Sequence, residues 1–195
     1  MELIFATNNQ NKVKEIRNVI GDGIDILPLK EAGIIIEIPE PHDTLQDNAQ
    51  EKAQTIHHLT GKNCFSEDSG LEVTSLNGAP GVKSARYAGD KATDAENIAL
   101  LLKSMEGKQN REAQFRTVIN LIWDKQSYYF EGVCRGRITS VVQGEDGFGY
   151  DPVFIPEGSE KTFAEMTMEE KNKFSHRKKA TSKLIEFLQQ QLSKA

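Results

Sequence analysis

The chain opens on a change of period that narrows the choice of folds. Leu3-Ile4-Phe5-Ala6 is a short apolar run that stops at Thr7-Asn8-Asn9. Apolar residues then return as Val13, Ile16 and Ile20, spaced for one face of a helix. A buried strand that passes through a polar turn into an amphipathic helix is the start of an α/β layer. The alternation continues. Ile34-Ile35-Ile36 reads as a second strand, and Thr44 to about Leu59 as a helix opened by an Asp/Thr cap. Cys64-Phe65-Ser66 and Leu71-Glu72-Val73 read as strands around the turn Ser66-Glu67-Asp68-Ser69-Gly70. A helix is expected over about Asp94 to Met105, with Ile98, Leu101, Leu102 and Met105 inward.

Farther on, Ala113–Trp123 and Tyr128–Val142 carry β-branched and aromatic residues and make a long antiparallel hairpin. The last helix is expected to start at Ser175 and to bury Ala180, Leu184, Leu188 and Leu192 at steps of four. Strands and helices that interleave and then give way to a hairpin indicate an α/β fold on a mixed sheet. Its 195 residues suffice for one well-packed domain, with or without two lobes, and residues 1–195 are read as one domain.

Composition removes several function classes. A net charge of -5 argues against general binding to a nucleic-acid backbone, which needs an extended basic surface. No stretch approaches the roughly 18 apolar residues that a membrane helix needs. The N-terminus lacks the basic region of a signal peptide. Cys64 and Cys134 are far apart and form no metal or redox pattern, so each reads as a buried, reduced thiol. Together these features predict a cytoplasmic protein.

Five segments carry chemistry. Thr7-Asn8-Asn9-Gln10-Asn11-Lys12 joins a strand to a helix, whose N-terminal N–H groups and partial positive charge favour phosphate. Lys12 adds a full charge there, and the plain alternative is ordinary capping by Thr and Asn. Glu40 precedes the Thr44 helix, and Asp68 lies in the expected turn. Two distant carboxylates brought together suit magnesium, a hard ion that takes one or two of them plus phosphates. Asp68 can also accept a proton from an attacking water. The alternative for Glu40 is a solvated acidic stretch with Glu37, Asp43 and Asp47.

The fourth segment, Gly144-Glu145-Asp146-Gly147-Phe148-Gly149-Tyr150-Asp151-Pro152, frees its backbone at three glycines and offers Phe148 as a stacking face for a base. It also reads as a glycine-rich hairpin turn. The fifth, Lys171-Asn172-Lys173-Phe174-Ser175-His176-Arg177-Lys178-Lys179, sets four basic or titratable residues at a helix N-terminus. The helix dipole prefers anions there, so a bound polyanion would reverse the cost. Such a basic cluster on an acidic protein suits a small anionic ligand.

In order, these segments resemble the inosine triphosphatase / Ham1 / dITP–XTP pyrophosphatase family. The resemblance rests on Thr7-Asn8-Asn9 with Lys12 and Glu15, Glu40 with Asn48-Ala49-x-x-Lys52-Ala53, and Asp68-Ser69-Gly70-Leu71. It continues through Gly78-Ala79-Pro80-Gly81, Ser84-Ala85-Arg86-Tyr87-Ala88-Gly89, Phe148-Gly149-Tyr150-Asp151-Pro152, Lys171-Asn172 and Ser175-His176-Arg177.

The resemblance implies an elongated mixed β-sheet flanked by helices, two lobes with a central substrate cleft, and a homodimer. It implies hydrolysis of ITP, dITP and XTP to monophosphate and pyrophosphate. Thr7, Asn8, Asn9, Gln10, Asn11, Lys12 and Lys171 would hold the triphosphate, and Glu40 and Asp68 would serve magnesium. Asp68 would be the base for water, with Ser69 close by. Phe148, Gly149, Tyr150, Asp151, His176 and Arg177 would receive the base. Arg177 and His176 would donate to the C6 oxygen that distinguishes hypoxanthine and xanthine from adenine. Pro41-His42 after Glu40 departs from the usual pattern, as do Asp47 and Lys83, and leaves the geometry around Glu40 open. Rival readings are a Maf-like pyrophosphatase acting on modified pyrimidine nucleotides and a nucleotide-binding regulator without turnover.

Overall fold

A computed structural model describes residues 1–21 and 23–193 of the chain. Among them, strands β1 (Glu2–Phe5), β2 (Asp25–Pro28), β3 (Cys64–Val73), β4 (Glu112–Trp123), β5 (Gln126–Ile138) and β6 (Phe154–Pro156) form one sheet, ordered β2-β1-β3-β4-β5-β6. Helices α1 (Gln10–Ile20), α2 (Leu45–Thr60), α3 (Asp94–Ser104), α4 (Met168–Asn172) and α5 (His176–Leu192) complete the α/β fold. β1 runs parallel to β2 and to β3, whereas β5 and β6 are antiparallel, so the sheet is mixed, as expected. The expected long hairpin is β4–β5. Its two-residue loop, Asp124-Lys125, has φ of 49° and 67°, a mirror-image turn whose twist matches that of the strands.

The chain divides into two compact units, and β3, β4 and β5 each contribute to both. The first comprises Met1–Asp68, Thr117–Gly132 and Arg177–Ala195. Within it, strand alternation splits the apolar residues of β1 between two cores. Leu3 and Phe5 pack with Val13, Ile16 and Ile20 of α1 and with Ala180, Leu184 and Leu188 of α5. Ile4 and Ala6 pack with Ala53 and Ile56 of α2 and with Cys64. Phe5 and Phe65 stack with ring centroids 4.4 Å apart. Burial pushes the Cys64 thiol up to about 12, so it is a neutral core group at physiological pH.

The second unit comprises Ser69–Arg116 and Val133–His176. Leu71 and Val73 of β3 meet Ile98, Leu101 and Met105 of α3, with Phe115, Phe154 and Phe163 filling the middle. Thr93 and Glu96 close a reciprocal capping box at the start of α3. Leu102 joins this core only partly.

Four expectations fail locally. Ile34-Ile35-Ile36 is extended but joins no strand ladder, because the position beside β1 is taken by β2, which was not anticipated. Ile34, Ile36 and Ile38 still lean on the second core of the first unit, while Ile35 is 94% exposed. The expected Glu67–Gly70 turn does not exist, since β3 runs unbroken through it with almost every side chain buried. β5 ends at Ile138, where pairing with β6 stops, and Val141 and Val142 are exposed. Leu192 is also exposed, because α5 outruns its apolar bed after Leu188 and enters Gln189-Gln190-Gln191.

Gly70 is required by close approach. A Cβ there would run into the backbone carbonyl of Gly81. That carbonyl also accepts from the Ser84 hydroxyl at 2.6 Å, and the Leu71 N–H donates to Ser84 at 2.9 Å. The substitution Gly70→Ala is therefore expected to destabilise the fold by about 1–3 kcal/mol, the usual cost of overpacking. A urea titration checks this, with the midpoint falling and the slope unchanged. An unchanged midpoint would show that the loop yields freely.

Candidate active site

Parity along β3 sorts the polar residues of the first unit. Cys64, Ser66 and Asp68 face α2, and Phe65 and Glu67 face the opposite side. The Cys64 thiol donates to the Ala53 carbonyl at 3.3 Å, and the Ser66 hydroxyl donates to that of Ala49. One turn along α2, Lys52 is 6% exposed, and its ammonium is surrounded by oxygen. It donates to Glu40 Oε1 at 2.6 Å, to the Glu67 carbonyl at 2.8 Å and to Asp68 Oδ1 at 3.1 Å. Burial opposes the charge on Lys52, but Asp68 and Glu40 outweigh it and raise its pKa.

The same arrangement brings Glu40 and Asp68 together, as the resemblance implies. Asp68 is 5% exposed, and its Oδ2 is buried with no hydrogen-bond partner among the described residues. Burial pushes its pKa up, against the pull of Lys52 and Lys12 and with help from Glu40. Two carboxylates on one ammonium, one of them with a spare buried oxygen, form a donor set that suits a hard divalent cation. The Pro41-His42 stretch is held to α2. Asn48 accepts from the His42 N–H at 2.9 Å and donates to the His42 carbonyl at 3.1 Å, which fixes the chain just after Glu40.

On the other face, Glu67 is the centre. Arg177 donates to it twice, Nε to Oε2 at 2.7 Å and Nη2 to Oε1 at 2.8 Å, and Nη1 donates to Glu15. Lys12 Nζ lies 3.4 Å from Glu67 Oε1. Burial opposes the Arg177 charge, and Glu67 and Glu15 more than offset it, so its pKa is raised. Arg177 is thus anchored by two acidic partners within the first unit. Its guanidinium, 3% exposed, goes to two carboxylates, and these offset the helix-dipole cost for which a bound polyanion had been expected.

The Thr7–Lys12 segment is capped in the ordinary way and still presents polar groups. Asn9 Oδ1 accepts from the N–H groups of Asn11 and Lys12 at 3.0 and 3.2 Å, and Thr7 Oγ1 accepts from that of Asn9 at 3.1 Å. The side chains of Asn8, Gln10 and Asn11 are exposed, and Lys12 is half-buried.

In the second unit, Asp151 and Lys171 form a buried pair at 2.6 Å. Asp151 Oδ2 also accepts from the Phe148 N–H at 3.1 Å, and Lys171 Nζ lies 5.2 Å from the centre of the Phe148 ring and 5.3 Å from that of Phe163. Gly147, at φ 82°, allows this turn, since a Cβ would meet the Asp151 carboxylate. Asp94 accepts from the Gly149 N–H at 2.7 Å, and the Tyr150 hydroxyl donates to the Ser84 carbonyl at 2.7 Å. Phe148 borders a cavity of about 440 Å³ with Ile98, Leu102, Val142 and Pro152. His176 stacks on Phe115 at 4.7 Å and is 4% exposed. Ser69 is half-buried.

Lys52, Glu15 and Glu67 received no role from the sequence. Asn48 and Lys52 are spaced i, i+4 on α2, and Lys12 and Glu15 i, i+3 on α1, so each pair shares a helix face. That spacing was the available signal, and only the fold shows what the faces meet.

The chain is similar to known proteins over nearly its whole length. The Ham1 family model matches residues 3–187. A dITP/XTP pyrophosphatase of Porphyromonas gingivalis is 49% identical over 188 residues, covering 96% of this chain and 97% of the relative. One of Flavobacterium johnsoniae is 46% identical over 188 residues, covering 96% and 98%. Among solved structures, the Staphylococcus aureus Ham1 protein superposes with a TM-score of 0.89 at 36% identity, covering 98% of this chain and 100% of that one. A HAM1 protein from Coxiella burnetii gives 0.90 at 36% identity, covering 97% and 99%. With the family's polar segments gathered on β3, α1, α2 and α5 and the match running nearly end to end, the chain belongs to the Ham1 family.

Proposed function

We propose that the chain is a magnesium-dependent pyrophosphatase that converts purine nucleoside triphosphates with deaminated bases, ITP, dITP and XTP, to monophosphate and pyrophosphate. Near-full-length relatives named dITP/XTP pyrophosphatase support the activity. The observation that carries the chemistry is Asp68, which is buried and joined to Glu40 through Lys52, with one oxygen unengaged. Glu40 and Asp68 would hold magnesium, which when bound neutralises phosphate charge and orients the anhydride. Asp68 accepts the proton of the attacking water. Lys52 keeps the two carboxylates converged.

Lys12 and the exposed amides of Asn8, Gln10 and Asn11 bind the phosphate chain, and charge on the departing pyrophosphate falls to Lys12 and the start of α1. In the second unit, Phe148 offers its face to the base. The Asp151–Lys171 pair holds that ring in place through the Phe148 N–H and the cation–π contact. His176 and Arg177 are the donors assigned to the C6 oxygen. The homodimer expected of the family is tested by light scattering at micromolar concentration.

The substitution Asp68→Asn is expected to lower turnover of ITP by about 10²–10⁴-fold, the range for a lost general base, while leaving the protein folded. Circular dichroism with a steady-state assay checks both, and near-normal turnover would end the assignment. Cleavage between the α and β phosphates should yield monophosphate and intact pyrophosphate. Phosphorus NMR of a reaction free of other pyrophosphatases reads the products directly. Diphosphate with orthophosphate would refute the mechanism, and cleavage of modified UTP or TTP but not ITP would favour the Maf-like reading.

A further inference from the structure

Four charged residues meet behind β3. Lys12 and Arg177 are the cations, Glu15 and Glu67 the anions, and the four sum to zero. Arg177, Glu15 and Glu67 are each 5% exposed or less, so water does little to screen an imbalance. Both cations compete for Glu67, whose Oε1 accepts from Arg177 at 2.8 Å and lies 3.4 Å from Lys12. Glu15 relieves the competition by taking the remaining side of the guanidinium. It sits three residues after Lys12 on the same face of α1, which ties the start of that helix to α5.

We propose that Glu15 is a positioning residue for the phosphate-binding lysine: by balancing Arg177 it leaves Glu67 able to hold Lys12 where the pyrophosphate end of the substrate arrives. The proposal rests on the reading of Lys12 as a phosphate ligand and adds a residue that touches neither substrate nor metal. Without the Glu15 charge, Glu67 would be drawn more fully to Arg177 and away from Lys12. Lys12, the only member of the set with substantial exposure at 17% of its side chain, is the one that can move away. Its departure would weaken the grip on the phosphates of every nucleotide alike, because the base is not involved.

The test is a double-mutant cycle on Glu15→Gln and Lys12→Ala. Calorimetry reads the affinity for inorganic pyrophosphate with magnesium, and kcat/KM is measured on ITP and ATP. Glu15→Gln alone should weaken pyrophosphate binding by about tenfold or more, the scale seen for residues that orient a ligating group. It should lower kcat/KM by the same factor for both nucleotides. In the Lys12→Ala background it should add less than about twofold, since there is no lysine left to position. An equal effect in both backgrounds, or none in either, overturns the proposal.

The paired variant Glu15→Gln/Arg177→Gln removes one charge of each sign and guards against a single variant that fails to fold. Pyrophosphate affinity should return to within about threefold of the unmodified protein if charge balance is the mechanism. Failure to recover in a folded protein also counts against it. Because pyrophosphate binding needs no turnover, a protein that passes this test and leaves ITP intact would sink the proposed function and leave the role of Glu15 standing.

Discussion

One buried ammonium holds the first unit's chemistry together. Lys52 reaches from α2 to a carboxylate in the extended segment, a carbonyl in the middle of β3 and a second carboxylate beside it. Alone, either acid would resist this degree of burial. With a cation between them their repulsion is offset, and the desolvation cost is spread over three hydrogen bonds. The result is a pair of carboxylates held convergent by the protein itself.

β3 is the partition on which the rest is arranged. A strand with both faces covered is normally a run of Val, Ile and Leu. Here the run is Cys-Phe-Ser-Glu-Asp-Ser-Gly-Leu-Glu-Val, and the polar residues survive burial because each finds partners on its own side. Asp68 looks to α2, and Glu67 looks to α1 and α5. Two charged assemblies thus sit back to back across one backbone, 3.3 Å of rise apart by ordinary strand geometry.

That arrangement also explains what could be read from the sequence. Helices α1, α2, α3 and α5 were legible because their apolar spacing, caps and lengths all pointed the same way, as in Val13, Ile16 and Ile20 or the Thr44 cap of α2, whereas the short α4 was not anticipated. The β4–β5 hairpin was legible from composition. The Glu67–Gly70 stretch was misread because polar residues in a row look like a turn to any local rule, and only partners distant in sequence make them a strand. Ile34–Ile36 failed for the opposite reason. Its composition favours a strand, but β2 takes the position beside β1. In the site, the approach of Glu40 and Asp68 was legible through the family's motifs, whereas the two carboxylates that meet Arg177 were not. Its partners lie 110 and 162 residues away, beyond the reach of spacing arguments.

The extended chain from Ile34 to Glu40 sets a limit on how this protein can vary. Its side chains alternate between contact and solvent, with Ile34, Ile36 and Ile38 leaning on the core and Glu40 last on the same side. No strand ladder fixes the register, so counting by twos from the isoleucines is what brings Glu40 inward to meet Lys52. Losing or gaining one residue here would turn the carboxylate to solvent along with the isoleucines. A change of two would keep the facing but slide Glu40 by about 6.6 Å, more than a lysine tip can follow. The segment looks like a permissive surface loop, yet its length is expected to be as constrained as that of any strand in the sheet.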